Sequence, residues 1–491
     1  MRTARKRLCV VIGTAVLLTG GIRAQEIVQR PDLEPGQELV LSLQEAVDFA
    51  IAYNKSLQNS RMEVERSRSS IWESIAQGLP QVDGTVDYMT YFNYELAFSF
   101  GGGGDYNFSN EQLQMAMDQT LSAFPGVTQT DIYRHTAGNY YDGQLQSMLP
   151  PSTILMSDQS TATLRVNQLI FSGQYIVGIQ TARLARLISE QNLESSELDT
   201  KESVINAYYL VLITEESLAI LQQNLGNLQE TLEQTQTMYR TGMAEKTDVD
   251  QLRITVNQLE NSRNALERNL ELNYNMLRFQ LGVESEVELR LTDGLESLFR
   301  QMEPEKAITM PFSIENNVTY QIMKTQEEIN RKLMSLEKWN YAPTISGFYN
   351  YNAKILTTGF DMNPNNLAGL TMAVPIFSSG MRKARVDQAR IDYDMAQLNR
   401  SILEDQLKLQ EKQIKYNLQS SLENFRTQRE NVEVAQSVYD SYRRKYEQGM
   451  ATSLELTQAN TNYLDAESNY ISAVMDVMNA KLQLDKLLNT L

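Results

Sequence analysis

Few side chains in this sequence are suited to catalysis or to metal binding. His135 is the only histidine and Cys9 the only cysteine, so the chain has no histidine and cysteine cluster. A lone loop histidine is more often a surface residue than a metal ligand, and the sequence contains no nucleotide-phosphate loop and no credible catalytic triad. The acidic residues fall on predicted helix faces. The sequence therefore predicts a protein that is not an enzyme and has no cofactor, so that energy has to come from a partner.

A repeated six-residue segment is the most informative pattern in the chain. Tyr239–Ala244 reads Tyr-Arg-Thr-Gly-Met-Ala, and Tyr446–Ala451 reads Tyr-Glu-Gln-Gly-Met-Ala, 207 positions later. Gly173 and Gly380 are separated by the same 207 positions. A glycine at the end of a helical run predicts a C-cap that stops one helix before the next begins. The pattern therefore predicts two helical hairpins that arose by internal duplication.

The duplication extends upstream with a second offset. Pro80 and Pro343 lie 263 positions apart, so the first half carries 56 extra residues between Gly101 and Ser157. The chain then divides into five parts. They are a leader at 1–24, an N-terminal extension at 25–38, a first repeat at 39–282 with an insertion at about 101–157, a linker at 283–311 and a second repeat at 312–491.

Apolar residues spaced by sevens predict that the long helices pack as coiled coils. The first series is Val204, Val211, Leu218, Leu225, Leu232 and Tyr239, and the second is Leu418, Phe425, Val432, Tyr439 and Tyr446. The return helix has small residues at the same seven-residue spacing, namely Ala459, Ala466, Ala473 and Ala480. As one helix, residues 174–239 would extend about 99 Å at 1.5 Å per residue.

Period-two alternation predicts four strands, at about 81–100, 161–171, 344–353 and 367–377. One face of the first strand is rich in aromatic residues and the other is polar. This pattern fits the outward and inward faces of a membrane barrel, and a half-buried soluble sheet is the alternative. Four strands cannot surround an aqueous lumen, so a barrel needs several copies, and three copies supply twelve strands.

The N-terminus predicts export from the cytoplasm. A basic cluster precedes an apolar run from Leu8 to Leu18, and a small residue, Ala24, marks the expected cleavage site. Beyond the leader, no apolar run reaches the length expected of a transmembrane helix. The formal charge is −17, and removal of the leader's five basic residues takes it to −22. Such a chain should repel nucleic acid. The excess of acidic residues either keeps the protein soluble or lines a duct that favours cations.

Several of these motifs resemble the TolC family of outer-membrane efflux and secretion channels. The segment Val374–Gly380 reads Val-Pro-Ile-Phe-Ser-Ser-Gly and, with the weaker Leu169–Gly173, is similar to the family's strand-to-helix junction. The two Tyr-x-x-Gly turns resemble its periplasmic hairpin tips. The resemblance implies a mainly α fold with a β-barrel contribution, in which long antiparallel helical hairpins form an α-barrel and each protomer adds four strands. It further implies a homotrimer in the outer membrane of a Gram-negative-type cell, with a long periplasmic extension.

The resemblance also implies roles for particular residues. The tips that would dock to a periplasmic adaptor are Gly242, Met243, Ala244, Gly449, Met450 and Ala451. The periplasmic gate would consist of Thr247, Asp248, Tyr446, Glu455 and Gln458. Ala451 stands where the family prototype has an arginine of the gate network, and Gln458 replaces a second lumen-facing acid. Three copies would place three Glu455 carboxylates in a ring that attracts cations; the alternative is a solvated charge at a helix N-terminus.

The function that follows is a passive exit duct of a tripartite efflux or type I secretion system. Its expected partners are two further copies, a periplasmic adaptor protein, an inner-membrane pump and outer-membrane lipid. Two other classes stay open: a periplasmic coiled-coil scaffold without a pore, and a component of surface or capsule export. The aromatic strands argue against the scaffold, and single-channel conductance separates a duct from both.

Overall fold

The structure is a computed structural model of the 491-residue chain. It describes residues 38–92, 94–98, 111, 115, 118, 122, 152–156, 158–356 and 364–491. The predicted leader, nearly all of the N-terminal extension, His135 and most of the insertion lie outside the described residues.

The described elements alternate between short strands and helices in an order that is repeated once. They are β1 (Glu38–Leu41), α1 (Leu43–Tyr53), α2 (Lys55–Ala76), β2 (Gln81–Met89), β3 (Tyr94–Phe98), β4 (Ser152–Met156), β5 (Gln159–Phe171), α3 (Gly173–Arg240), α4 (Lys246–Leu281), β6 (Glu288–Leu291), α5 (Leu295–Gln301), α6 (Pro304–Thr309), a 3₁₀ turn (Ile314–Asn316), α7 (Val318–Trp339), β7 (Thr344–Leu356), β8 (Asn366–Ala373), α8 (Met381–Glu447) and α9 (Ser453–Leu488).

The duplication is visible in the element bounds. Helices α2 and α7 have 22 residues each and start 263 positions apart. Helices α4 and α9 have 36 residues each and start 207 positions apart. Both offsets agree with those read from the sequence. The repeat therefore preserves element length as well as sequence motifs.

The chain forms two compact units, each built from separate stretches of sequence. The first runs up to Ile75 and includes Gly173–Ala342 and Pro375–Leu491, which together hold the helices. The second comprises Ala76–Ser172 and Pro343–Val374, which hold the strands β2 to β5, β7 and β8. In each half, the chain passes from the first unit into the second and back.

In the helical unit, each long helix pairs with a shorter return helix. Helix α3 has 68 residues and α8 has 67, which corresponds to roughly 100 Å each at 1.5 Å per residue. The predicted heptads are largely buried: Val204 and Val211 are fully inaccessible, and the alanines of the return helix lie at 9 % exposure or less. Leu218, Leu232 and Val432 are half-buried, and Tyr239 is exposed, at 46 %. The small alanine side chains let neighbouring helices approach closely.

The main apolar core lies where the linker residues cover the long helices. Residues of β1, α1, β6 and α5 pack on the middle of α3 and on the end of α9. Beneath them, the Tyr208 hydroxyl donates to the Leu41 carbonyl at 3.2 Å, and Asp293 accepts the Leu43 amide at 2.7 Å. Helix α3 is long and apolar enough to cross a membrane by length and composition, contrary to the sequence expectation. Its most apolar part contributes to this packed core, as the burial of Val204 and Leu212 illustrates.

The sheet unit contains a four-stranded antiparallel sheet in the order β2-β5-β7-β8. All nine residues of β2 are exposed. Both faces of that strand are therefore uncovered by the described residues, unlike a strand of a half-buried soluble sheet. Since β2 and β8 are the outer strands, each has one edge without a partner strand in this sheet.

Two predicted strand bounds were wrong. The strand expected at 81–100 is interrupted after Met89 and resumes at Tyr94 as β3, which pairs with β4. The pairing register changes between the two ladders, since four positions separate Met89 from Tyr94 but only two separate Met156 from Gln159. Phe92 adopts φ 51°, a left-handed conformation that does not continue a strand. The strand expected at 367–377 ends at Ala373, since Pro375 has no N–H to donate to a ladder.

The start of α3 yields a stability prediction. A Cβ on Gly173 would lie 2.1 Å from the Trp339 ring, whereas one on Gly178 would meet no atom within 4 Å. We expect Gly173→Ala to lower the free energy of unfolding by about 1–3 kcal/mol through overpacking. The matched control Gly178→Ala should be neutral or stabilising, by up to about 1 kcal/mol. Thermal unfolding of the purified variants in detergent measures both, and equal effects would contradict the assigned packing.

Candidate functional site

Each helical hairpin ends in the same backbone turn. Gly242 and Gly449 adopt φ 78° and 72°, so both occupy the left-handed region expected for a glycine C-cap. The Gly242 amide donates to the Tyr239 carbonyl and the Met243 amide to the Met238 carbonyl, at 3.0 and 2.8 Å. The same two bonds recur at the second tip. This pair of bonds is the Schellman motif, which satisfies the last carbonyls of the helix.

The tips present apolar side chains to solvent. Met243 is 75 % exposed and Met450 66 % exposed. Leu454, at the start of the return helix, is also 66 % exposed. A flexible thioether at the end of each hairpin suits contact with another protein surface. The tip residues proposed from the sequence are therefore accessible, with Ala244 and Ala451 partly buried beside them.

Both return helices begin with a capping box, and the third residue of each is a candidate gate residue. In α4, the Glu245 amide donates to Asp248 Oδ2 at 3.1 Å. In α9, the Thr452 amide donates to Glu455 Oε2 at 2.8 Å. These hydrogen bonds satisfy amides that a helix start would leave without a partner. Asp248 and Glu455 therefore occupy equivalent positions in the two hairpins. Thr247 precedes Asp248, and its hydroxyl donates to Glu245 Oε2 at 3.1 Å.

Two side-chain hydrogen bonds join the hairpins of one chain near these tips. The Ser453 hydroxyl donates to Asp248 Oδ1 at 2.5 Å, which links α9 to α4. The hydroxyls of Tyr446 and Thr235 lie 2.7 Å apart, which links α8 to α3. Because the Thr235 hydroxyl donates to the Thr231 carbonyl, the Tyr446 hydroxyl is the donor.

Burial and charge act on the titration of these groups. Burial raises the pKa of the Tyr446 phenol, the hydrogen bond with Thr235 offsets part of this rise, and the nearby Asp248 carboxylate adds to it. The phenol therefore stays protonated and able to donate at neutral pH. Beneath it, an apolar cluster of Leu225, Leu228, Leu252, Val256, Tyr439, Leu456 and Ala459 joins both hairpins.

Four of the five predicted gate residues divide into two groups, and the fifth, Thr247, donates to Glu245 at the start of its own helix. Asp248 and Tyr446 both lie at the contact between hairpins, but they bind Ser453 and Thr235 rather than each other. Sequence reasoning missed these two partners. A small hydroxyl residue directly after the N-cap, as at Ser453, was the available signal, because its side chain is short enough for two helix starts to approach.

Glu455 and Gln458 lie at the exposed start of α9. Hydrogen bonds from the Thr452 backbone and hydroxyl lower the pKa of Glu455, so its carboxylate is charged at neutral pH. The Gln458 amide donates to Asn462 on its own helix at 2.9 Å. Within one chain, Glu455 is thus a charged group at a helix N-terminus. A ring of three such carboxylates requires further copies of the chain.

The comparisons with known proteins concern the same two halves. A model of the family described as outer membrane efflux protein matches residues 148–283 and 325–490. These segments contain both long helices, both tips and the strands β5, β7 and β8. The outer membrane efflux protein BepC of Brucella suis biovar 1 (strain 1330) is 20 % identical over 66 % of this chain and 71 % of its own.

Two further proteins extend the likeness. The outer membrane protein TolC of Salmonella enteritidis is 20 % identical, over 68 % of this chain and 70 % of its own. Among solved structures, one of CusC, described in terms of transmembrane channel formation, superposes with a TM-score of 0.68 at 14 % identity. That match covers 94 % of this chain and 98 % of CusC. At this identity, the structural likeness establishes the fold.

The hydrogen bond between Tyr446 and Thr235 yields a local stability prediction. Tyr446→Phe removes the buried donor, and we expect a loss of about 1 kcal/mol in the opening free energy of the tip helices. Tyr416, on the same helix, is 70 % exposed, so Tyr416→Phe serves as the matched control with little expected effect. Amide hydrogen exchange near the tips measures the opening. If Thr235→Ala and Tyr446→Phe have fully additive effects, the two hydroxyls are not coupled.

Proposed function

The chain belongs to the outer membrane efflux protein family, and from this we propose that it is a subunit of a passive exit duct across the periplasm and the outer membrane. Three copies form the duct. A periplasmic adaptor protein and an inner-membrane pump connect to its hairpin tips and supply the energy, in a tripartite efflux or a type I secretion system. We assign no catalytic step to the chain.

The single observation that carries the proposal is the four-stranded sheet whose outer strands, β2 and β8, each have one edge without a partner strand among the described residues. In hydrocarbon, every backbone N–H and C=O needs a partner within the protein, so an open edge is not tolerated. Since β2 pairs antiparallel with β5, β5 with β7 and β7 with β8, strand β8 of one copy has the correct direction to pair antiparallel with β2 of the next. Three copies close a barrel of twelve strands, an even number as in bacterial barrels.

The residues of β2 fit a lipid-facing and a water-facing side. Val82, Val86 and Tyr88 are 60 %, 73 % and 63 % exposed and alternate with Asp83 and Asp87. A strand with apolar side chains outward and carboxylates inward separates lipid from an aqueous lumen. We therefore propose outer-membrane lipid as the environment of the first face and the duct as that of the second.

The alternatives explain less of the molecule. A coiled-coil scaffold without a pore leaves Val82, Val86 and Tyr88 exposed to water without a reason. A component of surface or capsule export would use similar helices, but it does not require an ion-conducting lumen. Conductance through a lipid bilayer separates the proposed duct from both.

Docking and gating are assigned to the two tips. The exposed Met243 and Met450 are the proposed apolar contacts for the adaptor. Each follows the glycine of a Schellman turn at the end of its hairpin. The proposed gate comprises Thr247, Asp248, Tyr446, Glu455 and Gln458, because they lie around the same tips. Closing requires that neighbouring hairpins be tied together, which the bonds of Asp248 and Tyr446 accomplish within one copy.

Planar-bilayer recording tests the duct and its gate together. We expect the wild-type protein to form channels of low resting conductance. Asp248→Ala combined with Tyr446→Phe should raise that conductance several-fold, because both ties between the hairpins are lost. Tyr416→Phe, at a tyrosine of α8 that is 70 % exposed and lies far from the tips, is the matched control and should conduct like the wild type. Absence of any conductance from inserted protein would refute the duct, and an unchanged double variant would refute the gate assignment.

Crosslinking in cells tests docking. Gly242→Val and Gly449→Val place a β-branched residue at positive φ, at a cost of about 1–2 kcal/mol each, and should distort the tip turns. Recovery of a periplasmic adaptor after crosslinking should fall at least several-fold, while the amount of protein in the outer membrane persists. Gly226→Val, within α3 and with open space around it, is the control. Equal adaptor recovery from all three variants would exclude these turns as docking points.

A further inference from the structure

Within one chain, the two hairpins meet through side chains that are almost fully buried. Thr235 and Tyr446, which share a hydrogen bond, are 0 % and 9 % exposed, and Ser453, which bonds Asp248, is 5 % exposed. Thr231, one turn before Thr235 on the same face of α3, is 7 % exposed. The contact is therefore a closed interface between hairpins rather than a chance approach of surface groups.

The duplication gives every one of these residues an equivalent 207 positions away, and the equivalents are accessible. Tyr239, the equivalent of Tyr446, is 46 % exposed, and Val438, the equivalent of Thr231, is 41 % exposed. Lys246, the equivalent of Ser453, is exposed, and Tyr442, the equivalent of Thr235, is half-buried. One chain thus forms the contact once. At the equivalent positions it has the residues of a second contact, which it does not form by itself.

We propose that a second copy of this chain forms this second contact, and that Glu455 of one copy forms an ion pair with Lys246 of the next. The assignment follows from the duplication, since Glu455 is the equivalent of Asp248 and Lys246 that of Ser453. The same shift pairs Tyr442 with Tyr239 of the next copy. The inference rests on the proposed assembly of copies around one axis, and it deepens the gate assignment by naming the partner of Glu455.

The carboxylate geometry supports this pairing. Asp248 uses Oδ2 for its own helix cap and Oδ1 for the neighbouring hairpin. Glu455 uses Oε2 for both capping bonds, from the Thr452 amide and hydroxyl at 2.8 and 3.0 Å. Its Oε1 atom is therefore the counterpart of the oxygen that Asp248 offers to Ser453. A carboxylate accepts several hydrogen bonds at once, so capping and pairing are compatible.

Charge complementarity points to the same partner. The internal contact joins a hydroxyl to a carboxylate, whereas the equivalent contact joins an ammonium to a carboxylate. Lysine also has the longer side chain, which spans a wider gap between separate chains. Three copies would then carry three such pairs around the tip, which ties the hairpins laterally. Without its lysine, each Glu455 would leave a negative charge in the proposed carboxylate ring.

Engineered cysteines test the pairing in the full-length protein. The sequence has one cysteine, Cys9, within the predicted leader, so the background in the mature chain is expected to be low. We expect Lys246→Cys with Glu455→Cys, treated with a short bis-maleimide, to yield covalently linked copies on a denaturing gel. The matched pair Asp248→Cys with Ser453→Cys joins residues already in contact within one chain, so it should leave single chains.

The native mass of the same samples separates the possible failures. A trimer that conducts but shows no linkage between Lys246→Cys and Glu455→Cys would overturn the pairing while leaving the duct intact. A monomer without conductance would instead refute the assembly on which the pairing rests.

Charge exchange gives a second readout. Lys246→Glu alone and Glu455→Lys alone should each raise resting conductance several-fold, since like charges then face each other between copies. The double exchange should return it toward the wild-type level. Lys408→Glu, at an exposed lysine that pairs with Glu404 on its own helix, is the control and should have no effect. Failure of the double exchange to restore the closed state would show that Glu455 faces the axis without this partner.

Discussion

The two open edges of the β2-β5-β7-β8 sheet are the constraint on which the rest of the molecule depends. Edge amides and carbonyls cannot remain without partners in hydrocarbon, and four strands are too few to enclose water. One copy therefore has no stable way to span a bilayer, whereas a ring of copies has no edge. In the proposed assembly, the helices of 68 and 67 residues carry the same requirement, because their further neighbours come from the next copy once the contacts within the chain are used.

The duplication lets one kind of contact serve two purposes. Inside a chain the hairpins are covalently connected, so the hydroxyl bonds of Ser453 and Tyr446 form without any loss of translational freedom. Between chains the partners must first meet, and the equivalent positions carry Lys246 and Glu455. Opposite charges guide association and respond to ionic strength. The two repeats thus differ in the residues at this contact. Hydroxyl groups suit a permanent contact within one chain, and opposite charges suit the proposed separable contact between chains.

The sequence predicted the helical architecture well because that architecture is periodic. The two offsets anticipated the equal lengths of α2 and α7, and the glycine pattern anticipated the positive φ of Gly242 and Gly449. The break at Phe92 was missed, because the alternation of apolar residues continues across it and only the pairing register changes there. The partners of Asp248 and Tyr446 were also missed, since nothing in one sequence shows which faces of two hairpins meet.

In the proposed duct, the position of the proposed gate carboxylates, Asp248 and Glu455, at helix starts determines how the tips can move. One oxygen of each carboxylate accepts from the amide of the residue that precedes its helix, so the other oxygen is held in place for a neighbouring hairpin. Breaking the lateral bond leaves the helix cap intact, and the Schellman turn behind it depends only on backbone groups. Opening can therefore displace whole hairpins without unfolding their ends. A tip built in this way favours rigid-body movement between two packed arrangements over local melting.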